Sequence, residues 1–278
     1  LVNINKLLDL RTLTNSQLSC SKDKNGRFAL EEYVIGVDVA RSNAQSNNKS
    51  AIVVLKVIRN KQGVIRQIQL VNLIEPPNGL NFTEQSILVK KVFYQYGGKL
   101  DMNKSRVKAI VVDGNVIGKG LIDRLLEEVT DPETNEELGC FATINTDQKP
   151  QNGDAPKVVY DLTAQGINGD IIRIFMDYVE SQRLKLLKPY DEIKTSLPKS
   201  IDKITVQQAC LHTQYLIDEV ANLKLKKTTN SITVEQATKR IDKDRYSALA
   251  YALYYINLFL EKQEEDSYED DDPLVYYI

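Results

Sequence analysis

Three runs rich in β-branched side chains, at residues 33–40, 51–58 and 64–74, follow one another with only polar breaks between them. The first reads YVIGVDVA. It lacks the apolar–polar alternation of a strand with one wet face, so it predicts a strand buried on both sides. Asn60, Lys61, Gln62 and Gly63 separate the second run from the third, and this short glycine-containing break predicts a β-hairpin. A chain that begins this way is committed to a sheet with the first run in its interior.

The later elements extend that sheet. Asn81, with Glu84 three residues on, has the form of a capped helix start, and Gly97 with Gly98 predicts a stop near residue 96. Residues 107–112 form another buried run, and Ile117, Leu121, Leu125 and Val129 recur behind it at helical spacing. A fifth strand is expected at 141–145, then a long polar loop at 147–166, then helices near 171–178, 204–225 and 244–262. The order predicts an α/β fold with a mixed five-stranded sheet, the first three strands antiparallel and helices on both faces. Residues 1–30 read as a linker or the remnant of a preceding domain, 31–263 as the main domain, and 264–278 as an acidic C-terminal tail. The chain opens with neither an initiator Met nor a signal pattern, so a fragment of a longer protein is expected.

Two acids sit where acids are costly. Asp38 lies inside the most apolar strand and Asp113 ends the next buried one. Burying an ionised carboxylate is unfavourable unless it is paired or bound to metal. If the two strands are neighbours, their acids repel, and a divalent cation relieves the repulsion. A third acid, Asp244, starts the last helix. Ala248 and Ala252 share its face, and they are small enough to let the helix lie close on the sheet and carry Asp244 to the strand ends. Each acid also has an ordinary reading when taken singly: a strand-end turn for Asp38, an Asp-Gly turn for Asp113, a helix N-cap for Asp244.

The remaining chemistry is narrow. His212 is the single histidine, which excludes a His-rich metal site and reads as structural. Cys20, Cys140 and Cys210 are too scattered for a disulfide framework or a Cys-based zinc site. Three carboxylates favour Mg²⁺ or Mn²⁺. The chemistry they support is two-metal phosphodiester hydrolysis, with ions about 3.5–4 Å apart. A net charge of −2 argues at first against a nucleic-acid partner, but residues 261–272 hold eight acids and one Lys. Without them the body carries 35 basic and 30 acidic side chains, compatible with phosphate binding. No apolar run reaches the roughly 18 residues of a membrane span, so no membrane partner is expected.

Asp38 in YVIGVDVA, Asp113 in AIVVDGNVIGKGLIDRL and Asp244 in KDRYSALAYALYYI together resemble the C-terminal nuclease domain of phage terminase large subunits, over about residues 31–263. The resemblance implies a ribonuclease H-like fold and two Mg²⁺ or Mn²⁺ ions held by these three acids. It also implies an endonuclease that cuts concatemeric double-stranded viral DNA during packaging in the host cytoplasm. Many members carry an Asp-Asp pair before the last helix. Here Lys243-Asp244 stands instead, and Asp242 is a candidate for a supporting role, as is Asp147. Such proteins also carry a packaging ATPase. This chain has no GxxxxGK[ST] loop, so an ATPase domain is expected upstream. The portal and the small terminase subunit are further implied partners, with 273–278 as a candidate portal-docking segment.

Arg41, Lys119, Lys149 and Lys157 are candidates for DNA-phosphate contacts. Asp123 and Asp161 read as surface or helix residues, and Tyr251 and its neighbouring tyrosines as packing. Competing readings are a Holliday-junction resolvase or transposase-type nuclease of the same fold, a sugar-kinase-like phosphotransferase, and a non-catalytic docking module. The phosphotransferase would need glycine-rich phosphate loops after the first strand, and DVAR at 38–41 lacks them.

Overall fold

The structure, a computed structural model, describes residues 1–39, 49–227 and 232–261. Arg41 and the tail at 264–278 lie outside the described residues. The first elements are α1 (Ile4–Asp9), β1 (Arg11–Leu13), β2 (Glu32–Asp38), β3 (Ala51–Arg59) and β4 (Ile65–Ile74). Then come α2 (Phe82–Gln95), β5 (Val107–Asp113), α3 (Val116–Leu125), β6 (Val129–Thr130), β7 (Glu137–Leu138), β8 (Ala142–Thr143) and β9 (Lys157–Leu162). The last part holds α4 (Asn168–Glu180), β10 (Leu184–Leu187), α5 (Tyr190–Ile193), α6 (Lys203–Asn222), β11 (Leu223–Lys227), β12 (Ile232–Gln236) and α7 (Asp244–Tyr255). A π-helical turn, Ile256–Glu261, continues α7.

The main sheet has eight strands in the order β1-β10-β4-β3-β2-β5-β9-β8. β2, β3 and β4 pair antiparallel, as their two breaks predict. Gly63, at φ +89°, makes the tight turn between β3 and β4, where a side chain would be strained. β5, β9 and β8 continue parallel to β2. β2 is the interior strand, with Tyr33 to Val37 buried in succession. One face of the sheet is covered by α2 and α3, the other by α4, α6 and α7. Asn81 and Glu84 cap α2 reciprocally, the arrangement their spacing predicts.

Four expectations are corrected. The sheet has eight strands, not five. The strand beside β5 is β9, inside the segment read as a loop, whereas 141–145 contributes only the two-residue edge strand β8. Val158 and Val159 are fully buried there, but the Gln, Asn, Gly and Asp residues upstream outweigh them in a composition window. The helix expected at 204–225 ends at Asn222 and turns into the β11–β12 hairpin. Residues 1–30 supply α1 and the edge strand β1, with Leu7 and Leu10 buried in the core.

One packing detail positions the site. A Cβ placed on Gly36 would lie 2.0 Å from the Ala248 carbonyl oxygen and 3.0 Å from the Ala252 Cβ. Only glycine in β2, facing alanines in α7, allows the helix to rest on the strand at this distance.

Candidate active site

β2 and β5 run parallel with Val37 opposite Val112, so Asp38 and Asp113 end neighbouring strands at the same edge of the sheet. Asp38 lies two residues beyond Gly36 and therefore shares the face on which α7 rests. The close approach of α7 brings its first residue, Asp244, to that edge. Ser247 and Tyr251, three and seven residues on, follow along the same side of the helix. The site thus draws on two strands and one helix, from three distant parts of the chain.

Each carboxylate has protein partners. The Asn115 amide and side chain donate to Asp113 at 3.1 and 2.9 Å, and the Tyr251 hydroxyl donates to Asp113 Oδ2 at 3.3 Å. The Lys49 amide donates to Asp244 Oδ2 at 3.2 Å. Ser247 bonds to Asp38. Sequence reasoning misses Ser247, Tyr251 and Lys49 as site residues. For the first two, the available signal is their helical spacing from Asp244.

The acids do not neutralise one another; they repel. Burial pushes the Asp38 carboxyl well above its ordinary range, and the charges of Asp244 and Asp113 add to the effect, while Lys243 and Ser247 oppose it. Asp244 is pushed up to about 6, first by burial and then by Asp242, against the pull of the Lys49 amide. Asp38 is therefore the shared neighbour, feeling both other acids. Among the described residues no three acidic, His or Cys side chains converge into a ready-made metal cage. A hard ion such as Mg²⁺ keeps several waters and takes one or two carboxylates together with substrate phosphate oxygens. The donor set, carboxylates without His or Cys, fits the same ion.

The structure brings some of the other expected residues to this edge and leaves others away. Asp242 acts on Asp244 and lines a cleft of about 620 Å³ with Lys49, Arg240 and Arg245, which none of the three acids lines. Lys119 is exposed on the first turns of α3, whose Gly118 abuts the Asp113 carbonyl. Lys157 opens β9 at the end remote from the acids, about 13 Å of strand from Asp161. Asp147 and Lys149 are exposed on the loop after β8, which runs down α3 through a Gln148–Asp123 hydrogen bond of 3.3 Å. His212 sits 3.4 Å from Glu75, which pairs with Lys49 and Arg245, rather than beside the three acids themselves.

Asp161, read as a surface or helix residue, instead stands on β9 opposite Val112. Burial raises its carboxyl, Lys119 lowers it and Asp113 raises it further. A Cβ at Gly114 would lie 1.6 Å from Asp161 Oδ1, so the glycine of the Asp113-Gly114 pair is required by this neighbour. The sequence signal for Asp161 is lost with the strand that carries it.

With three antiparallel strands followed by parallel ones, and helices on both faces, the fold is ribonuclease H-like. No family model and no curated protein matches the sequence. Among solved structures, the large terminase nuclease of thermophilic phage G20c with bound magnesium is similar. It is 14% identical, over 90% of this chain and 96% of its own, with a TM-score of 0.49. The human cytomegalovirus terminase nuclease domain is 11% identical over 92% of this chain and 95% of its own, with a TM-score of 0.48. The large terminase of another thermophilic bacteriophage, in complex with ADP, is 11% identical over 83% of this chain and 40% of its own, with a TM-score of 0.44. Likenesses of this strength carry no functional argument, and the chemistry rests on the site itself.

Proposed function

We propose that this chain is a divalent-metal-dependent DNA endonuclease domain of the terminase type, with Asp38, Asp113 and Asp244 as its metal ligands. The observation that carries the reading is the placement of Asp38, half-buried at a strand end and repelled by both Asp244 and Asp113. Such an arrangement is unfavourable for a protein without a cation and useful for one that binds it. Two Mg²⁺ or Mn²⁺ ions there would supply an activated water and a Lewis acid for the leaving 3′ oxygen.

The chain's own groups have definable tasks. Asp38 would hold the ions together with Asp113 and Asp244. Asn115 and Tyr251 orient the Asp113 carboxylate, and the Lys49 amide orients that of Asp244. Lys119 and Lys243 would meet phosphates at the same edge; Arg41, Lys149 and Lys157 remain candidates for contacts farther along the duplex. Asp242 supports Asp244, and Asp147 is the weaker candidate for such a role. The substrate is double-stranded viral DNA, cut during packaging in the host cytoplasm, with an upstream ATPase domain, the portal and the small terminase subunit as partners. Among the described residues no helix is long and apolar enough to cross a membrane.

The test is plasmid cleavage with Mn²⁺, Mg²⁺ or EDTA, using wild type and the Asp38→Ala, Asp113→Ala and Asp244→Ala variants. Expected are EDTA-sensitive nicking and linearisation, abolished by each substitution. Cleavage that survives Asp38→Ala would reject the assignment. Exclusive cutting of branched DNA would point to a resolvase instead.

A further inference from the structure

The first turn of α7 is held from outside. Its N-cap residue, Lys243, makes no side-chain cap, which would leave early backbone N–H groups without acceptors. Glu219, on α6 and 1% exposed, supplies the acceptor instead: its Oε2 takes the Tyr246 N–H at 2.9 Å. Its Oε1 takes Arg245 Nη1 at 2.5 Å. Arg245, itself 4% exposed, reaches with Nη2 to Glu75 just beyond β4. Glu75 pairs with Lys49 Nζ at 2.7 Å, and the Lys49 amide donates to Asp244 Oδ2 at 3.2 Å. The contacts close a ring: Asp244, Lys49, Glu75, Arg245 and back through the chain to Asp244.

We infer that Arg245, bridging Glu219 and Glu75, is a positioning residue that fixes the Asp244 carboxylate for cation binding. The inference rests on the functional reading above, because it assigns the ring its task through Asp244. An ordinary helix start would need one cap. Here a guanidinium, a buried position suited to its bidentate fork, is held by two carboxylates from separate elements. The same ring ties Lys49, which precedes β3, to the start of α7. A shift in any one member therefore reaches Asp244 by two routes, along the helix backbone and through the Lys49 amide. Removing one member of a buried charged set leaves the others uncompensated, so the geometry loosens rather than closing up.

The experiment measures Mn²⁺ binding to the metal-free, DNA-free chain by calorimetry, together with amide exchange along α7 in the same samples. Arg245→Met should weaken Mn²⁺ binding by about 10-fold or more, the scale on which groups behind metal ligands act. It should also speed exchange at Tyr246 and Ser247 relative to the middle of the helix. Arg245→Lys should recover part of the affinity, since one ammonium cannot span both carboxylates. Glu75→Gln, at a partly exposed position that tolerates an isosteric change, should give a smaller loss and guards against a misfolded Arg245→Met. Glu31→Gln, which disturbs a remote charged cluster, should lower stability and leave Mn²⁺ affinity unchanged. Wild-type affinity in both Arg245→Met and Glu75→Gln would overturn the positioning role, as would unchanged exchange at Tyr246. A wild-type chain that takes up no Mn²⁺ would instead reject the metal reading, while the exchange data would still judge the ring.

Discussion

The two ends of β2 each carry a carboxylate in a crowded place, and they are treated in opposite ways. Glu31, just before the strand, accepts hydrogen bonds from the Ser21 amide at 3.0 Å, Gln17 at 2.8 Å and the Tyr33 hydroxyl at 2.6 Å, and pairs with Lys56. Burial would raise its pKa, but Lys56, Tyr33, the Ser21 amide and Gln17 bring it down to about 2. Asp38, at the other end, faces two acids and is driven upward. Glu31 is stabilised as a charge and holds the fold together. Asp38 is strained as a charge and is available for a cation. On the proposed function, the difference separates a structural acid from a functional one where residue type and burial alone do not.

The largest contrast should be in activity. Asp38→Asn should lower DNA cleavage by about 10³-fold, as loss of a central charge-stabilising group does, while Glu31→Gln stays within about twofold of wild type in the same plasmid assay. Stability should show the reverse order. Glu31→Gln leaves Lys56 and the surrounding donors poorly matched and should cost about 2 kcal/mol in a urea melt. A variant that is stable but inactive at Glu31 would erase the distinction.

Acid titration of the metal-free chain sharpens the comparison. Asp244 has a folded pKa of about 6 against an ordinary 3.8. The folded state therefore binds the extra proton, and stability from this group improves as pH falls from about 6 toward 4. Glu31, at about 2 against an ordinary 4.5, contributes stability above pH 4.5 that is lost as pH falls toward 2. Urea midpoints measured across this range should show a smaller upper arm in Asp244→Asn, since Asp38 and Glu219 are raised too, and should lose the lower arm in Glu31→Gln. The smallest effect is thermal. Metal-free Asp38→Asn, relieved of a repelled charge, should melt about 2–4 °C higher, the shift that roughly 1 kcal/mol gives in a chain of this size.

Much of this arrangement is legible from particular residues. The unbroken apolar run around Gly36 marks the interior strand, and the alanines at 248 and 252 mark the helix face that meets it; Gly36 joins the two, since a Cβ there would come within 2.0 Å of the Ala248 carbonyl oxygen. Asn81 and Glu84 announce α2 because a cap is a local device. What is not legible depends on contacts between distant segments. β9 is short, and its buried pair Val158–Val159 follows a polar stretch, so Asp161 is misplaced with it. β1 joins the sheet only through β10, which local pattern does not reveal. Arg245 reads in sequence as one more charge beside Asp244, and its role appears only when α6 and the end of β4 supply Glu219 and Glu75.

The central claim is that Asp38 shares divalent cations with Asp113 and Asp244. Anomalous diffraction from crystals soaked in Mn²⁺ tests it directly. Manganese peaks within coordination distance of Asp38, flanked by Asp113 and Asp244, are the expected result. Manganese bound only elsewhere on the chain, with Asp38 uncoordinated, would contradict it.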